Sequence, residues 1–262
     1  MSQRLINPAK PRGIDAQAIR KWALLFLLAG VVGKAILEAK ILEIPGADAN
    51  GIFEVLESPG MFKIATVAII LQILQTCAVP VFAFLLVEGV KHTKSLRMYF
   101  LRVLGLAVVS EIPYDLVFHN KWMDFSAQNP AFALVVALIM LFLFRSYTGK
   151  GAKSILTGIV AVVVAILWVA MLRVDEGIPV ILITVAIWLS RRKKGAQVFA
   201  AAVVTCLCST FSAGSLRYFL APIACLLIHF YNGELGEGNK IVNYAAYPVI
   251  MMGCWLVARF GF

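Results

Sequence analysis

The chain has 262 residues, of which 61% are hydrophobic and 15% are charged, and its formal net charge is +10. A soluble domain has about 45–50% apolar and about 25% charged residues, so this composition excludes a soluble globular protein, a disordered chain and a disulfide scaffold. It also excludes a nucleic-acid binder, because the basic residues stand in short clusters between apolar runs and not on one continuous polar face. The composition is typical of an all-α integral membrane protein that crosses the lipid bilayer many times.

The chain begins with a polar, basic stretch, residues 1–21, which we interpret as a cytoplasmic tail. The apolar run that follows is longer than the hydrophobic region of a signal peptide, and no small-residue cleavage site is evident. This tail can include a short surface helix at residues 15–20. The alternative is a basic segment that binds lipid head groups. Residues 22–262 contain no repeat, low-complexity tract or long linker, which predicts a single transmembrane domain.

The apolar runs predict a polytopic helical bundle of about nine transmembrane helices, within a range of about eight to ten. The second run contains Pro80, which predicts a bend or a break there. The sixth and seventh runs are short, so one of them can be re-entrant. The predicted spans lie near residues 22–42, 62–90, 96–118, 131–147, 152–172, 178–190, 196–210, 213–231 and 241–259.

The distribution of basic residues predicts the orientation of the chain in the membrane. Three basic clusters, at residues 91–97, 145–153 and 191–194, fall on the same side as the basic N-terminus if nine helices alternate in direction. The loops on the opposite side are acidic or carry few charges. Because Lys and Arg favour the cytoplasmic side, the N-terminus is predicted to be cytoplasmic and the C-terminus to be outside.

Two pairs of charged residues at membrane depth are spaced four residues apart, as neighbours on one helix face are. Lys34 and Glu38 are expected to neutralise each other near the outer interface. Glu88 and His92 lie at the cytoplasmic end of the second run. A carboxylate one turn from an imidazole can orient it and raise its basicity, as a general base requires. An ordinary ion pair at the end of a helix accounts for the same spacing equally well.

A second group of polar residues surrounds a proline in the third run. Glu111 and Asp115 flank Pro113, and Arg102 lies about two turns earlier, where it is a possible ion-pair partner. Since two acids and one base leave charge unpaired, a polar cavity is favoured over a structural ion-pair network. Asn129 precedes a proline, which is typical of a helix start. The histidines and cysteines show no metal-ligand spacing, so no metal site is predicted.

The same residues resemble a known family. The stretches 79–93 and 110–116, together with Tyr99, Arg102 and Gln128-Asn129, resemble the central motifs of the TraX-like family. These are membrane proteins named for the factor that acetylates the N-terminus of F-type pilin. Weaker likenesses follow at residues 175–177, 231–233 and 244–248, so the resemblance spans nearly the whole chain.

This resemblance implies a multi-pass acyltransferase of the bacterial cytoplasmic membrane. Its donor would be acetyl-CoA or another acyl-CoA, and its acceptor a peptide, a sugar or a lipid. His92 would be the base with Glu88 as its partner, because general-base catalysis needs such a group. Five further residues would bind the substrate or the donor, namely Arg102, Glu111, Tyr114, Asp115 and Asn129.

The chain also departs from the family pattern at polar positions. Gly33 and Lys34 stand where the family has an Asp-His pair, and Ile250 stands where it has a histidine. Gln75 and Thr76 replace a Gly-Arg pair. Two further hypotheses therefore stay open beside the acyltransferase: a catalytically inactive membrane subunit with a protein partner, and a small transporter that uses a Glu111/Asp115 cavity.

Overall fold

The computed structural model describes residues 13–44, 51–53, 57–146, 151–211 and 218–261, and their regular structure is helical. This confirms the all-α prediction for the described part of the chain. The helices are α1 Ala16–Val32, which continues as a π-helix over Gly33–Ile41, α2 Pro59–Gln75, α3 Ala78–His92, α4 Leu96–Phe118, α5 Ala131–Ser146, α6 Ala152–Met171, α7 Gly177–Leu189, α8 Lys194–Phe211, a 3₁₀ helix Ala221–Ala224, α9 Cys225–His229 and α10 Lys240–Phe260.

Four helical stretches are long and apolar enough to cross a membrane: Ala16–Ile41, Pro59–His92, Ala152–Met171 and Ile241–Phe260. They confirm that the chain is a helical membrane protein, whereas the number of nine crossings stays a prediction. Helix α4 has 23 residues and is therefore about 34 Å long, but its charged residues set it apart from these four. The predicted eighth span, 213–231, is not one continuous helix in its described part, since a 3₁₀ turn and the five-residue α9 form there.

The first membrane helix begins earlier than the sequence predicts. Helix α1 starts at Ala16, where the Asp15 carboxylate caps it by accepting a hydrogen bond of 2.7 Å from the Ala18 amide. The predicted surface helix at residues 15–20 is thus continuous with the first span. Of the predicted tail, residues 1–12 lie outside the described part of the chain.

The long second apolar run is broken, but one turn before the proline. Helices α2 and α3 are separated at Thr76 and Cys77. Proline lacks an amide hydrogen and its ring clashes with the carbonyl four residues earlier, which for Pro80 is the carbonyl of Thr76. Around this point the amides of Thr76, Cys77 and Val79 bond three residues back, as in a 3₁₀ helix. The predicted break is confirmed, and its position follows from where a proline acts.

Contacts between distant residues define two ends of the bundle. At one end Ile14 pairs with Phe230, the Lys194 ammonium donates to the Tyr231 carbonyl at 2.6 Å, and Arg145 donates to the Val90 carbonyl at 3.0 Å. We call this the basic end. The opposite, acidic end holds Asp115, Asp124, Asp175 and Glu176. The described members of the three basic clusters therefore share one end, as predicted.

Helix α2 lies close to Gly30 of α1 and to Gly33, the first residue of the π-helix. A Cβ on Gly30 would lie 2.3 Å from the Cβ of Gln75, and one on Gly33 would lie 2.9 Å from the Ala68 carbonyl oxygen. Nearby, Lys34 and Glu38 form the predicted ion pair, and the Gln72 amide donates to Glu38 at 2.6 Å. The pair is half-buried against α2, so it is a packing element between helices and not a free surface pair.

This packing predicts that Gly30→Ala lowers the free energy of unfolding by about 1–3 kcal/mol, because the added methyl group forces the two backbones apart. The matched control is Gly253→Ala in α10, where a Cβ meets no atom within 4 Å. That control should be neutral or slightly stabilising, since alanine favours helix over glycine by about 1 kcal/mol. Thermal unfolding of both variants in detergent measures the difference. Equal midpoints for the two variants would contradict the close approach.

Candidate functional site

A cavity of about 550 Å³ opens at the basic end between α1, α3, α4 and the start of α10. We call it the vestibule. It brings together three of the predicted site residues, Glu88, His92 and Arg102. Other polar side chains that line it are Gln17, Arg20, Thr93, Lys94, Ser95, Tyr99, Asn243 and Tyr244.

Glu88 is the buried centre of the predicted pair, with 5% of its surface exposed. One carboxylate oxygen lies 3.5 Å from His92 Nε2, and the other lies 2.5 Å from the Lys91 ammonium. The spacing therefore places Glu88 and His92 together as expected, and Lys91 shares the carboxylate. Of the two imidazole nitrogens, Nε2 is therefore the one that faces Glu88.

A glycine lets α3 and α4 meet at the vestibule wall. A Cβ on Gly89 would lie 2.4 Å from the Tyr99 hydroxyl oxygen, so a larger residue would displace the tyrosine. Gly89 follows Glu88 directly, and the close contact fixes Tyr99 beside the carboxylate-imidazole pair. On the opposite wall Gln17 and Asn243 exchange two hydrogen bonds, of 2.7 and 3.0 Å, which join α1 to α10.

The remaining predicted site residues lie deeper, toward the acidic end, and perform structural tasks. Asn129 is fully buried, and its Nδ2 donates to the Ala107 carbonyl at 2.9 Å and to the Glu111 carboxylate. Its Oδ1 accepts from the Ala131 amide at 2.9 Å. Asn129 therefore caps α5 and ties it to α4.

Asp115 and Tyr114 hold the loops of the acidic end. The Asp115 carboxylate accepts from the Asp124 amide at 2.8 Å, and the Tyr114 hydroxyl donates to Asp175 at 3.0 Å. In the same loop, hydrogen bonds from Lys121 and Ser126 hold the pKa of the Asp124 carboxyl below its usual range. These bonds order the segment after α4 and the turn before α7.

Arg102, the possible ion-pair partner of Glu111 and Asp115, lies apart from both acids. In the described structure Arg102 forms no ion pair with Glu111 or Asp115, and neither acid lines the vestibule or the two further cavities described below. Nine residues of helix place Glu111 about 14 Å along the axis from Arg102 and on the opposite face. The two carboxylates instead accept hydrogen bonds, Glu111 from Asn129 and Asp115 from the Asp124 amide.

The double role of Asn129 predicts that Asn129→Ala is more destabilising than loss of an ordinary helix cap. The matched control is Asn239→Ala, because the exposed Asn239 accepts a single bond of 2.8 Å from Ile241 at the start of α10. Loss of the cap alone costs about 1 kcal/mol. Asn129→Ala should cost about 2–4 kcal/mol, since it also leaves buried groups of α4 without a partner. Chemical unfolding followed by tryptophan fluorescence measures both, and equal costs would contradict the bridging role.

Sequence reasoning missed four vestibule residues: Gln17, Arg20, Asn243 and Tyr244. Arg20 was counted in the tail, although it lies in α1 and its guanidinium bonds Gln17 at 2.9 Å. The other three come from opposite ends of the chain, so no local spacing relates them. The capping signal of Asp15, which shifts the helix start by six residues, is the pattern that could have found Arg20.

A narrow central cavity of about 100 Å³ extends from the vestibule toward the acidic end. The two share lining residues, among them Phe82, Leu106 and Leu134, and the central cavity reaches Asp175 and Glu176. Glu176 accepts a hydrogen bond from the buried Tyr218. Among the described residues no group of three His, Cys, Asp or Glu side chains is placed to hold a metal ion.

The positions that depart from the family pattern lie around this central cavity and its apolar border. Gln75 and Thr76 line it, and the Thr76 hydroxyl donates to the Ile73 carbonyl at 2.7 Å. Gly33 packs on α2, and Ile250 belongs to an apolar cluster with Val31, Ala35 and Tyr114. Gly33 and Ile250 therefore contribute to helix packing in this chain, whereas Gln75 and Thr76 line a cavity.

Comparison with known proteins gives one result for the whole domain. The family model described as TraX protein matches residues 19–258, from the first turn of α1 almost to the end of α10. No curated protein and no solved structure matches the chain. The matched range includes the Glu88–His92 pair, the residues around Pro113 and the helix start at Asn129. The chain therefore belongs to the TraX protein family.

Proposed function

We propose that the chain is a membrane acyltransferase whose donor is acetyl-CoA or another acyl-CoA bound in the vestibule. The observation that carries the proposal is the composition of this cavity. Its described lining has three cationic side chains, Arg20, Lys94 and Arg102, beside a histidine paired with the one carboxylate, Glu88. Such a cavity attracts a polyanionic donor and holds a base next to it.

The chemistry assigned to His92 is that of a general base. An acceptor hydroxyl or amine attacks the thioester carbonyl carbon, and its proton passes to Nδ1 of His92. The carbon–sulfur bond then breaks, and the CoA thiolate takes up the proton. Glu88 keeps the imidazole oriented and stabilises its charged form. The nearby cations stabilise the oxyanion that forms on the carbonyl oxygen.

The proposal also assigns the side of the membrane on which the vestibule opens. The basic end carries the vestibule together with Lys91, Arg145 and Lys194. Positive residues favour the cytoplasmic face, where acyl-CoA is present, so we assign the basic end to the cytoplasmic side of the bacterial cell membrane. The N-terminus of α1 is then cytoplasmic and the end of α10 is outside.

Transfer of radiolabelled acetyl from acetyl-CoA tests this function. The purified protein in nanodiscs is incubated with three acceptor pools, one each of peptides, sugars and membrane lipids, and label in the acceptor is counted. Label that requires the protein and is lost with His92→Ala is the expected result. Absence of label in all three pools, with the donor intact, would contradict the proposal.

One observation favours a second candidate, a catalytically inactive membrane subunit that acts with a protein partner. At two positions where the family has polar residues, this chain has residues that pack against their neighbours. Gly33 packs on α2, and Ile250 lies in an apolar cluster. A partner protein that co-purifies in fixed ratio, with no transfer by either component alone, would establish this candidate. Turnover by the isolated chain would exclude it.

A further inference from the structure

A third cavity, of about 1030 Å³, lies on the outer surface of the bundle between α4 and α10. We call it the lateral cleft. It shares Arg102, Leu106 and Tyr244 with the vestibule, so the two meet at this point. Away from it the described lining is almost wholly apolar, and consists of Gly105, Val109, Ile112, Pro113, Trp122, Ile241, Ala245, Pro248, Val249 and Met252.

Arg102 is exposed where the cleft and the vestibule meet, and none of the described carboxylates lies within ion-pair distance of it. It stands six residues into α4, which is about 9 Å along the axis from Leu96. A guanidinium at this depth is costly unless an anion or water accompanies it. An anionic group beside Arg102 would therefore be favourable.

The lining of the cleft contains one glycine and two prolines. Gly105 is exposed and faces open space, with no atom within 4 Å of a Cβ placed there. Pro113 in α4 and Pro248 in α10 also line the cleft, and a proline inside a helix removes one backbone hydrogen bond. A larger side chain at position 105 would therefore occupy space in the cleft.

The position of the cleft determines its occupant. Helix α10 is one of the four stretches that are apolar enough to cross a membrane, and α4 is about 34 Å long. An alkyl chain is therefore the group that we expect in the opening. From Arg102 to Pro113 the wall is about 16 Å long, which accommodates much of one acyl chain. Basic pockets between membrane helices bind anionic lipid head groups.

We infer that the lateral cleft binds a phosphate-bearing membrane lipid, with its acyl chain along α4 and α10 and its phosphate on Arg102. This inference rests on the proposed function, and it identifies the acceptor of the acyl group as a lipid-linked molecule. Its head group enters the vestibule beside His92 from the side, while the acyl-CoA enters from the cytoplasm.

Photocrosslinking in nanodiscs tests the inference without any turnover. The probe is phosphatidylglycerol with a diazirine in its acyl chain, and mass spectrometry maps the labelled peptides. We expect label to concentrate in residues 102–113 and 241–252. Gly105→Trp, which fills the cleft, should lower this label at least fivefold. Val160→Trp, on the exposed face of α6, is the matched control and should leave it unchanged.

A second labelling experiment tests the role of the lipid phosphate. Arg102→Gln should lower labelling by the phosphatidylglycerol probe at least threefold, and should not change labelling by a diacylglycerol probe, which lacks phosphate. Excess inorganic phosphate should not compete. Competition by inorganic phosphate, or equal loss with both probes, would overturn the lipid assignment.

Other outcomes separate this inference from the proposed function. Label spread evenly over α4, α6 and α10, or unchanged by Gly105→Trp, would overturn the inference. Ala245→Trp fills the cleft from the opposite wall and decides the matter if Gly105→Trp does not fold. Acetyl transfer to a peptide without lipid labelling would leave the acyltransferase proposal intact and reject the cleft. Lipid labelling without transfer to any acceptor would support the lipid site in the cleft and contradict the acyltransferase proposal.

Discussion

We expect His92→Ala to lower kcat for acyl transfer by about 100- to 10,000-fold, the contribution typical of a positioned general base. The reason is that, in the proposed mechanism, Nδ1 of His92 accepts the proton, while the Glu88 carboxylate lies 3.5 Å from Nε2. The Michaelis constant for acetyl-CoA should change little, because the imidazole does not bind the donor in the ground state. Initial rates of label transfer over a range of donor concentrations separate these two quantities.

The controls distinguish a base from a structural histidine. Glu88→Gln should lower kcat less than His92→Ala does, since it removes the orientation and not the base. Lys91→Met removes the other partner of Glu88 and should leave kcat within a few-fold of wild type. His229→Ala, at an exposed histidine of α9, should have no effect. Full activity of His92→Ala with the fold intact would contradict the mechanism.

The second large effect is expected at Arg20. Arg20→Glu should weaken acetyl-CoA binding at least 100-fold, because it removes one charge-assisted contact, worth about 1.5–3 kcal/mol, and adds repulsion of the donor phosphates. Arg20 lines the vestibule from α1 and is held there by its bond to Gln17. Equilibrium titration of nanodiscs with acetyl-CoA gives the dissociation constant.

The neighbouring residue supplies a matched control. Lys21 has the same charge, follows Arg20 in α1 and is exposed outside the cavity. Lys21→Glu changes the net charge equally and should weaken binding only through the screened long-range field, an effect that disappears at high salt. If both variants weakened binding equally at high salt, the role of Arg20 in the vestibule would be rejected.

The local features of the site could be predicted because both members of each pair belong to one helix. Glu88 and His92, like Lys34 and Glu38, are four residues apart, and helical geometry alone brings such side chains together. The break before Pro80 is local in the same sense, since a proline acts on the carbonyl four residues earlier. The family resemblance was confirmed over residues 19–258.

The arrangement of distant helices could not be predicted. Arg102 is a possible ion-pair partner of Glu111 by its sequence position, but nine residues make about two and a half helical turns, so the two side chains face opposite sides. The partner of Glu111 is Asn129, which belongs to another helix. In the same way Arg20 and Asn243, from opposite ends of the chain, meet in the vestibule through tertiary packing that no spacing encodes.

The most direct test of the central claim is the binding of acetyl-CoA to the wild-type protein in nanodiscs, with CoA as the comparison. If the vestibule is an acyl-donor site, binding is saturable, with a micromolar dissociation constant, and it weakens as the salt concentration rises. No detectable binding up to millimolar acetyl-CoA at low salt would contradict the donor site and favour the inactive subunit.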